Sequence, residues 1–195
     1  MANHLRRCGM LLLLLVPVLA LAHTDGGAGA GGGLRSGLLH PVSGIDHVVA
    51  MVAVGLWGAQ LGLPSLWVLP VAFPLIMALG GAAGAAGLPL PAVETGIAAS
   101  GLVLGLAVLF SIRVPLWLAL LPVSVFAIYH GHAHGTEMPT YGSPLLYAVG
   151  FVLATGALHL CGIGIGLLWR WPAGQWVVRA SGGLIAGVGG FLLLQ

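Results

Sequence analysis

The chain has no lysine, four carboxylates and two cysteines among its 195 residues, and charged side chains make up only 5% of it. Each shortage excludes something. Soluble domains carry about 25% charged residues, so this composition cannot build a surface that faces water. Six arginines against four acids give a formal net charge of +2, too sparse a pattern to recruit nucleic acid or an acidic protein. Cys8 falls in an N-terminal leader and Cys161 inside an apolar run, which excludes a disulfide framework and a thiolate metal site. No glycine-rich phosphate loop is present to bind a nucleotide. What is there suits a lipid solvent: 59% hydrophobic residues and a mean hydropathy of +1.09. The class is therefore an all-α integral membrane protein.

Residues 1–22 read as a cleavable signal peptide, with Arg6 and Arg7 as a basic start, Met10 to Val18 as an apolar centre and Ala20-Leu21-Ala22 as a small-x-small cleavage site. Cleavage makes His23 the mature N-terminus. An uncleaved signal anchor is the alternative, against which the apolar stretch is short of the roughly 20 residues a span needs. Residues 23–37 form a glycine-rich arm, expected to be flexible and periplasmic. Residues 38–195 hold six apolar runs, at 38–60, 64–86, 92–111, 114–131, 144–168 and 175–195. Backbone groups in lipid must be paired internally, and these runs are too long and continuous for barrel strands. The expectation is a compact glycine-rich bundle of six transmembrane helices.

A cleaved signal places the mature N-terminus in the periplasm. Six crossings then put Arg113, Arg170 and Arg179 on cytoplasmic connections of a multi-pass protein of the bacterial inner membrane, as the positive-inside rule expects. With that orientation His40, Asp46, His47, Glu94, His130, His132 and His134 gather at the outer ends of three helices. His159 is set deeper, on the order of 22 Å from the outer end of its helix at 1.5 Å per residue. Ionisable groups kept inside a membrane commonly mark a substrate or ion path.

Local geometry divides this set. Pro41 disfavours helical backbone at His40 and suits a first helical position, so His40 is expected to cap the first helix. Asp46 and His47 then lie about a turn and a half inside, with Met51 stacked over His47. His130 and His134 are an i, i+4 pair if the helix continues past Gly131 and Gly135, which favour fraying. Imidazole with carboxylate suits nickel, cobalt, zinc, copper or iron in their divalent states and suits magnesium or calcium poorly.

The string His40-Pro41-x-x-Gly44-x-Asp46-His47, continued by Ala50-Met51 and Gly55-x-Trp57, resembles the signature of the HupE/UreJ family of nickel/cobalt permeases. Three further segments carry the same resemblance: Glu94-Thr95-Gly96-Ile97-Ala98-Ala99-Ser100, His130-Gly131-His132-Ala133-His134-Gly135-x-Glu137, and Ala154-Thr155-x-x-Leu158-His159-x-x-Gly162. The likeness covers essentially the whole mature chain. It implies that residues of the first helix, His40, Asp46 and His47, recognise metal. It also implies an indirect link to a nickel enzyme, hydrogenase or urease.

Each residue also has a plainer reading. Asp46 can serve as a hydrogen-bonding group between helices, Glu94 as a favourable charge at a helix N-terminus, and the loop histidines as a solvated cluster. His159 can be an interhelical hydrogen-bond partner, Met51 simple packing, and His23 a capture site only if the signal is cleaved. The GxxxG spacings Gly58/Gly62, Gly80/Gly84, Gly101/Gly105, Gly162/Gly166 and Gly183/Gly187 fit close helix contacts and admit a homo-oligomer.

The leading expectation is a secondary permease, without prosthetic group, that takes nickel or cobalt from periplasm to cytoplasm across the lipid bilayer. The alternatives are an intramembrane zinc-dependent hydrolase built on His130, His134 or His159 with Asp46 or Glu94 as base, and a metal-binding sensor or chaperone that does not transport.

Overall fold

The computed structural model describes residues 30–137 and 143–195; the expected signal peptide and residues 23–29 of the glycine-rich arm, His23 among them, lie outside these. Among the described residues every regular element is helical. The helices are α1 (Ala30–Ser43), α2 (Ile45–Leu61), α3 (Ser65–Ala85), α4 (Val93–Leu109), α5 (Leu116–Thr136), α6 (Pro144–Gly166) and α7 (Pro172–Leu193), with a short 3-10 turn, Leu167–Arg170, before α7. By length and apolarity α3, α5, α6 with its 3-10 extension, and α7 can cross a membrane. The α1–α2 pair makes a fifth span if counted as one broken unit, and α4 is shorter at 17 residues.

Three boundaries differ from the sequence expectation. Residues 30–37, placed in the flexible arm, are helical, because Gly33 and Gly37 let α1 lie directly on the α6 backbone at Ser143 and Tyr147. The first apolar run is not one helix capped by His40. His40 and Pro41 lie inside α1, and at Gly44, whose φ of −96° and ψ of 118° are extended, the chain turns by 80° into α2. The stretch from His132, expected as a polar loop, continues α5 to Thr136. Glycine destabilises a helix interior by about 1 kcal/mol. Here Gly131 and Gly135 give that position its use, seating α5 against the α3 backbone at Met77 and Gly81.

Close glycine contacts recur through the bundle. Gly80 and Gly84 of α3 meet the α5 backbone at Ile128 and His132, completing a reciprocal seam with Gly131 and Gly135. Gly101 and Gly105 of α4 meet Gly189 and Ala186 of α7, and Gly55 of α2 meets His159 and Gly162 of α6. Of the expected motifs, Gly58/Gly62 and Gly183/Gly187 are not such contacts: an added Cβ at Gly62 or Gly187 would meet nothing within 4 Å, and Gly182, Ala186 and Gly189 carry the α7 seam instead. Gly62 ends α2 with φ of 78°, a left-handed value that glycine adopts freely.

α2 is the hub, touching α1, α3, α4, α6 and α7. Its Met51, Val54 and Leu56 are fully enclosed, packed in one core with Leu69 and Phe73 of α3, Leu104 and Val108 of α4, Val123 of α5 and Val178 of α7. The outward faces stay apolar, with Leu75, Leu79, Leu153, Leu160, Leu184 and Phe191 exposed. A soluble monomer seldom shows so much contiguous apolar surface, and lipid is the solvent that matches it.

Candidate metal centre

The 80° turn at Gly44 aims two histidines of adjacent helices at one point. His40 comes from the last turn of α1 and His47 from the first turn of α2, and α5 adds His130 and His134 one helical turn apart. His134 Nε2 lies 3.1 Å from His47 Nδ1, and His130 Nδ1 lies 3.2 Å from that same atom. Ligand nitrogens about 2.1 Å from one ion stand roughly 3.0 to 3.4 Å apart, the range from octahedral to tetrahedral angles. Two of the three nitrogen pairs among His47, His130 and His134 thus hold the spacing of a coordination shell, and the group as a whole lies within 4.8 Å.

A second triad shares His134. His40 Nε2 is 2.8 Å from His134 Nδ1 and 3.4 Å from Glu137 Oε2, and Glu137 Oε2 is 3.9 Å from His134 Nδ1. In each triad one ligand atom per residue lies within 4.8 Å of the others. His47 and His130 are buried, His40 and His134 half-buried and Glu137 exposed, so the triads form a graded entry from solvent inward. A cavity of about 170 Å³ opens over them, lined also by Ser43, Asp46 and Glu94.

Surrounding groups fix the rings. The Ser100 hydroxyl donates to the Ile97 carbonyl at 2.6 Å, so its oxygen is left to accept from His130 Nε2 at 3.0 Å. That bond turns the His130 Nδ1 lone pair toward His47, the outer-partner arrangement that orients most metal-binding imidazoles. Phe151 of α6 backs the cluster, its ring centroid 4.7 Å from that of His134 and 5.5 Å from that of His47.

The other sequence candidates are placed apart from the cluster. Asp46 lines the cavity, but its Oδ1 accepts the backbone N–H of the next residue, His47, at 2.7 Å, so one oxygen is held by the first turn of α2. Glu94 is exposed on the opposite wall and, with Asp46, also borders a cavity of about 310 Å³ beside the end of α7. His132 faces away: its Nε2 donates to the Leu88 carbonyl at 2.7 Å. Met51 is packed in the core and does not line the cavity. His159 lies deeper, its backbone against Gly55, which is about 12 Å along α2 from His47. Both His159 ring nitrogens and the Thr155 hydroxyl one turn above are buried without a hydrogen-bond partner. The Phe73 ring stands beside both levels, 5.8 Å from His130 and 5.7 Å from His159 by centroids.

The family model described as HupE / UreJ protein matches residues 11–192, so the four signature segments fall within one continuous likeness. The chain belongs to the HupE/UreJ family. Protein HupE of Rhizobium leguminosarum bv. viciae is 45% identical over 184 residues, which cover 94% of this chain and 95% of that protein. No solved structure matches the chain. In this HupE/UreJ chain, sequence reasoning assigned no role to Ser100, Phe73 or Phe151 and did not count Glu137 as a ligand. The i, i+3 spacing of His134 and Glu137 was the available signal for the last; nothing in the sequence pairs Ser100 with His130, 30 residues away.

Proposed function

We propose that the protein is a secondary permease for a divalent transition metal, nickel or cobalt, carrying the ion from the periplasm to the cytoplasm. The carrying observation is the convergence of three imidazole nitrogens from α2 and α5 within 4.8 Å of one another, below an exposed His40–Glu137 entrance. Nitrogen-rich shells with a carboxylate favour these borderline ions over magnesium or calcium. The unpartnered His159 and Thr155 supply a deeper polar step, which a permease needs and a surface receptor does not.

In this reading residues 1–22 are removed, His23 starts a periplasmic segment, and the six apolar runs all cross the inner membrane. Arginines 113, 170 and 179 sit together at the end opposite the histidines, which supports a cytoplasmic assignment for that end. Metal enters through His40 and Glu137, with Asp46 and Glu94 drawing cations to the mouth. His47, His130 and His134 replace its water shell, and His159 receives it below. Delivery to a nickel enzyme and self-association of the bundle are parts of the same proposal.

Radioactive nickel flux into proteoliposomes tests the reading. Wild type is expected to load the vesicles, and His47→Ala to fall to the level of empty vesicles. Asp46→Asn, which keeps the Oδ1 acceptor for the His47 N–H but removes the charge, is expected to be impaired to a lesser extent. Equal flux for wild type and His47→Ala would sink the assignment.

One observation favours the hydrolase as second reading: an apolar cavity of about 320 Å³ beside His134 and Tyr147, bordered by α3, α5 and α6. A zinc site reached laterally by a lipid would use such an opening. Zinc-dependent turnover of a lipid or peptide without metal flux would select it.

A further inference from the structure

The two triads meet in one side chain and use its opposite edges. His134 presents Nδ1 to His40 and Glu137 and Nε2 to His47. A neutral imidazole carries one N–H and one lone pair, so it offers a ligand on one edge and a donor on the other. We infer that His134 is a two-faced ligand that completes the outer triad or the inner one but never both, so the entrance holds a single ion and passes it inward by exchanging which edge of His134 bears the proton. This rests on the metal-transport reading of the same cluster and adds to it the order and exclusivity of the two stations.

The environment of the other rings supports the division. His130 is held by Ser100 with its lone pair facing inward, so it can serve the inner station only. His40 reaches the cluster through its Nε2, which faces His134 Nδ1 and Glu137, so it serves the outer station only. Between these two His134 alone has possible partners on both ring nitrogens within the cluster: His40 and Glu137 on one edge, His47 on the other. The exchange balances. With the ion outside, Nδ1 binds it and Nε2–H points at His47. With the ion inside, Nε2 binds it and Nδ1–H donates to His40 or Glu137. The Nε2 proton is released to water of the solvent-open cavity and Nδ1 takes one proton from the same water, so the ring carries one proton and is neutral in both end states.

Equilibrium dialysis of the full chain in detergent against Ni²⁺ tests this by stoichiometry. Wild type is expected to bind one ion at saturation. His40→Ala combined with Glu137→Gln, which removes the outer station, and His130→Ala, which removes the inner one, should each still bind one. His134→Ala should bind none, its folding checked by size-exclusion profile. If that variant does not fold, the one-ion result in wild type and in both single-station variants carries the inference by itself. Two ions bound to wild type, one ion retained by folded His134→Ala, or none bound by either single-station variant would overturn it. A wild type that binds no nickel would remove the metal-site reading itself, a failure distinct from the two-ion outcome.

Discussion

The two ends of the bundle are built from different chemistry. At one end α1, α2 and α5 bring together His40, His47, His130, His134 and Glu137, with Asp46 and Glu94 on the cavity wall. At the other lie all six tryptophans, at the end of α2, the starts of α3 and α5, and around the 3-10 turn that leads into α7, with Arg113, Arg170 and Arg179 among them. Trp57 donates to the Ile112 carbonyl at 2.9 Å, and the Arg179 guanidinium sits 5.8 Å over the Trp169 ring. Amphipathic rings and arginines are what anchor helix ends at a membrane interface. One end therefore carries the groups that anchor a bundle at a membrane interface, and the other gathers side chains of the kind that bind metal. Glycine seams connect them, holding four helix pairs at near-backbone contact so that the histidines are positioned by helix axes and not by loops.

The largest expected effect that sharpens this contrast comes from changing one residue at each end. His134→Ala, which damages both triads, is expected to bring nickel uptake to background, while Trp171→Ala at the anchoring end should leave the rate per folded molecule within about threefold. Equal losses at both ends would erase the distinction. Next in size is Ser100→Ala, which frees His130 to turn. Nickel affinity should fall about 10- to 100-fold, the usual effect of losing an outer partner of a metal-bound imidazole, and Ser100→Thr should recover most of it. An unchanged affinity by calorimetry would mean that the hydroxyl does not orient the ring.

Acidity gives a smaller, graded effect. Protonated imidazole has no free lone pair, so metal binding competes with protons: uptake is present at neutral pH and declines once the acid is strong enough to protonate the shell. A nickel affinity that does not weaken at any acid pH at which the protein stays folded would contradict the nitrogen shell. The smallest effect belongs to His132→Ala, expected to change uptake less than about twofold. Its ring bonds the loop carbonyl of Leu88 and does not enter the cavity, although it sits between the two clustered histidines in sequence.

The sequence discloses the membrane class, and each apolar run covers the greater part of one of the helices α2 to α7, because hydropathy and the scarcity of charge are properties of composition and run length. The pairing of His130 with His134 follows from a 3.6-residue period, and the same period sets His132, counted with them in the sequence, on another face. Three things were not legible. The turn at Gly44 interrupts an apolar run at a single residue, where hydropathy is blind to backbone direction. The survival of α5 through Gly131 and Gly135 depends on α3 lying against it, a tertiary contact that local propensity opposes. Which glycine motifs make seams depends on which helix faces meet, as Gly182, Ala186 and Gly189 show in place of Gly183 and Gly187.

The account turns on histidines of α2 and α5 forming the shell of one ion. X-ray absorption at the nickel edge, on the loaded full-length protein, reads that shell directly. A first shell rich in imidazole nitrogen at about 2.1 Å is expected, with nitrogen scattering reduced in His130→Ala. An all-oxygen shell, or a spectrum identical in wild type and His130→Ala, would contradict it.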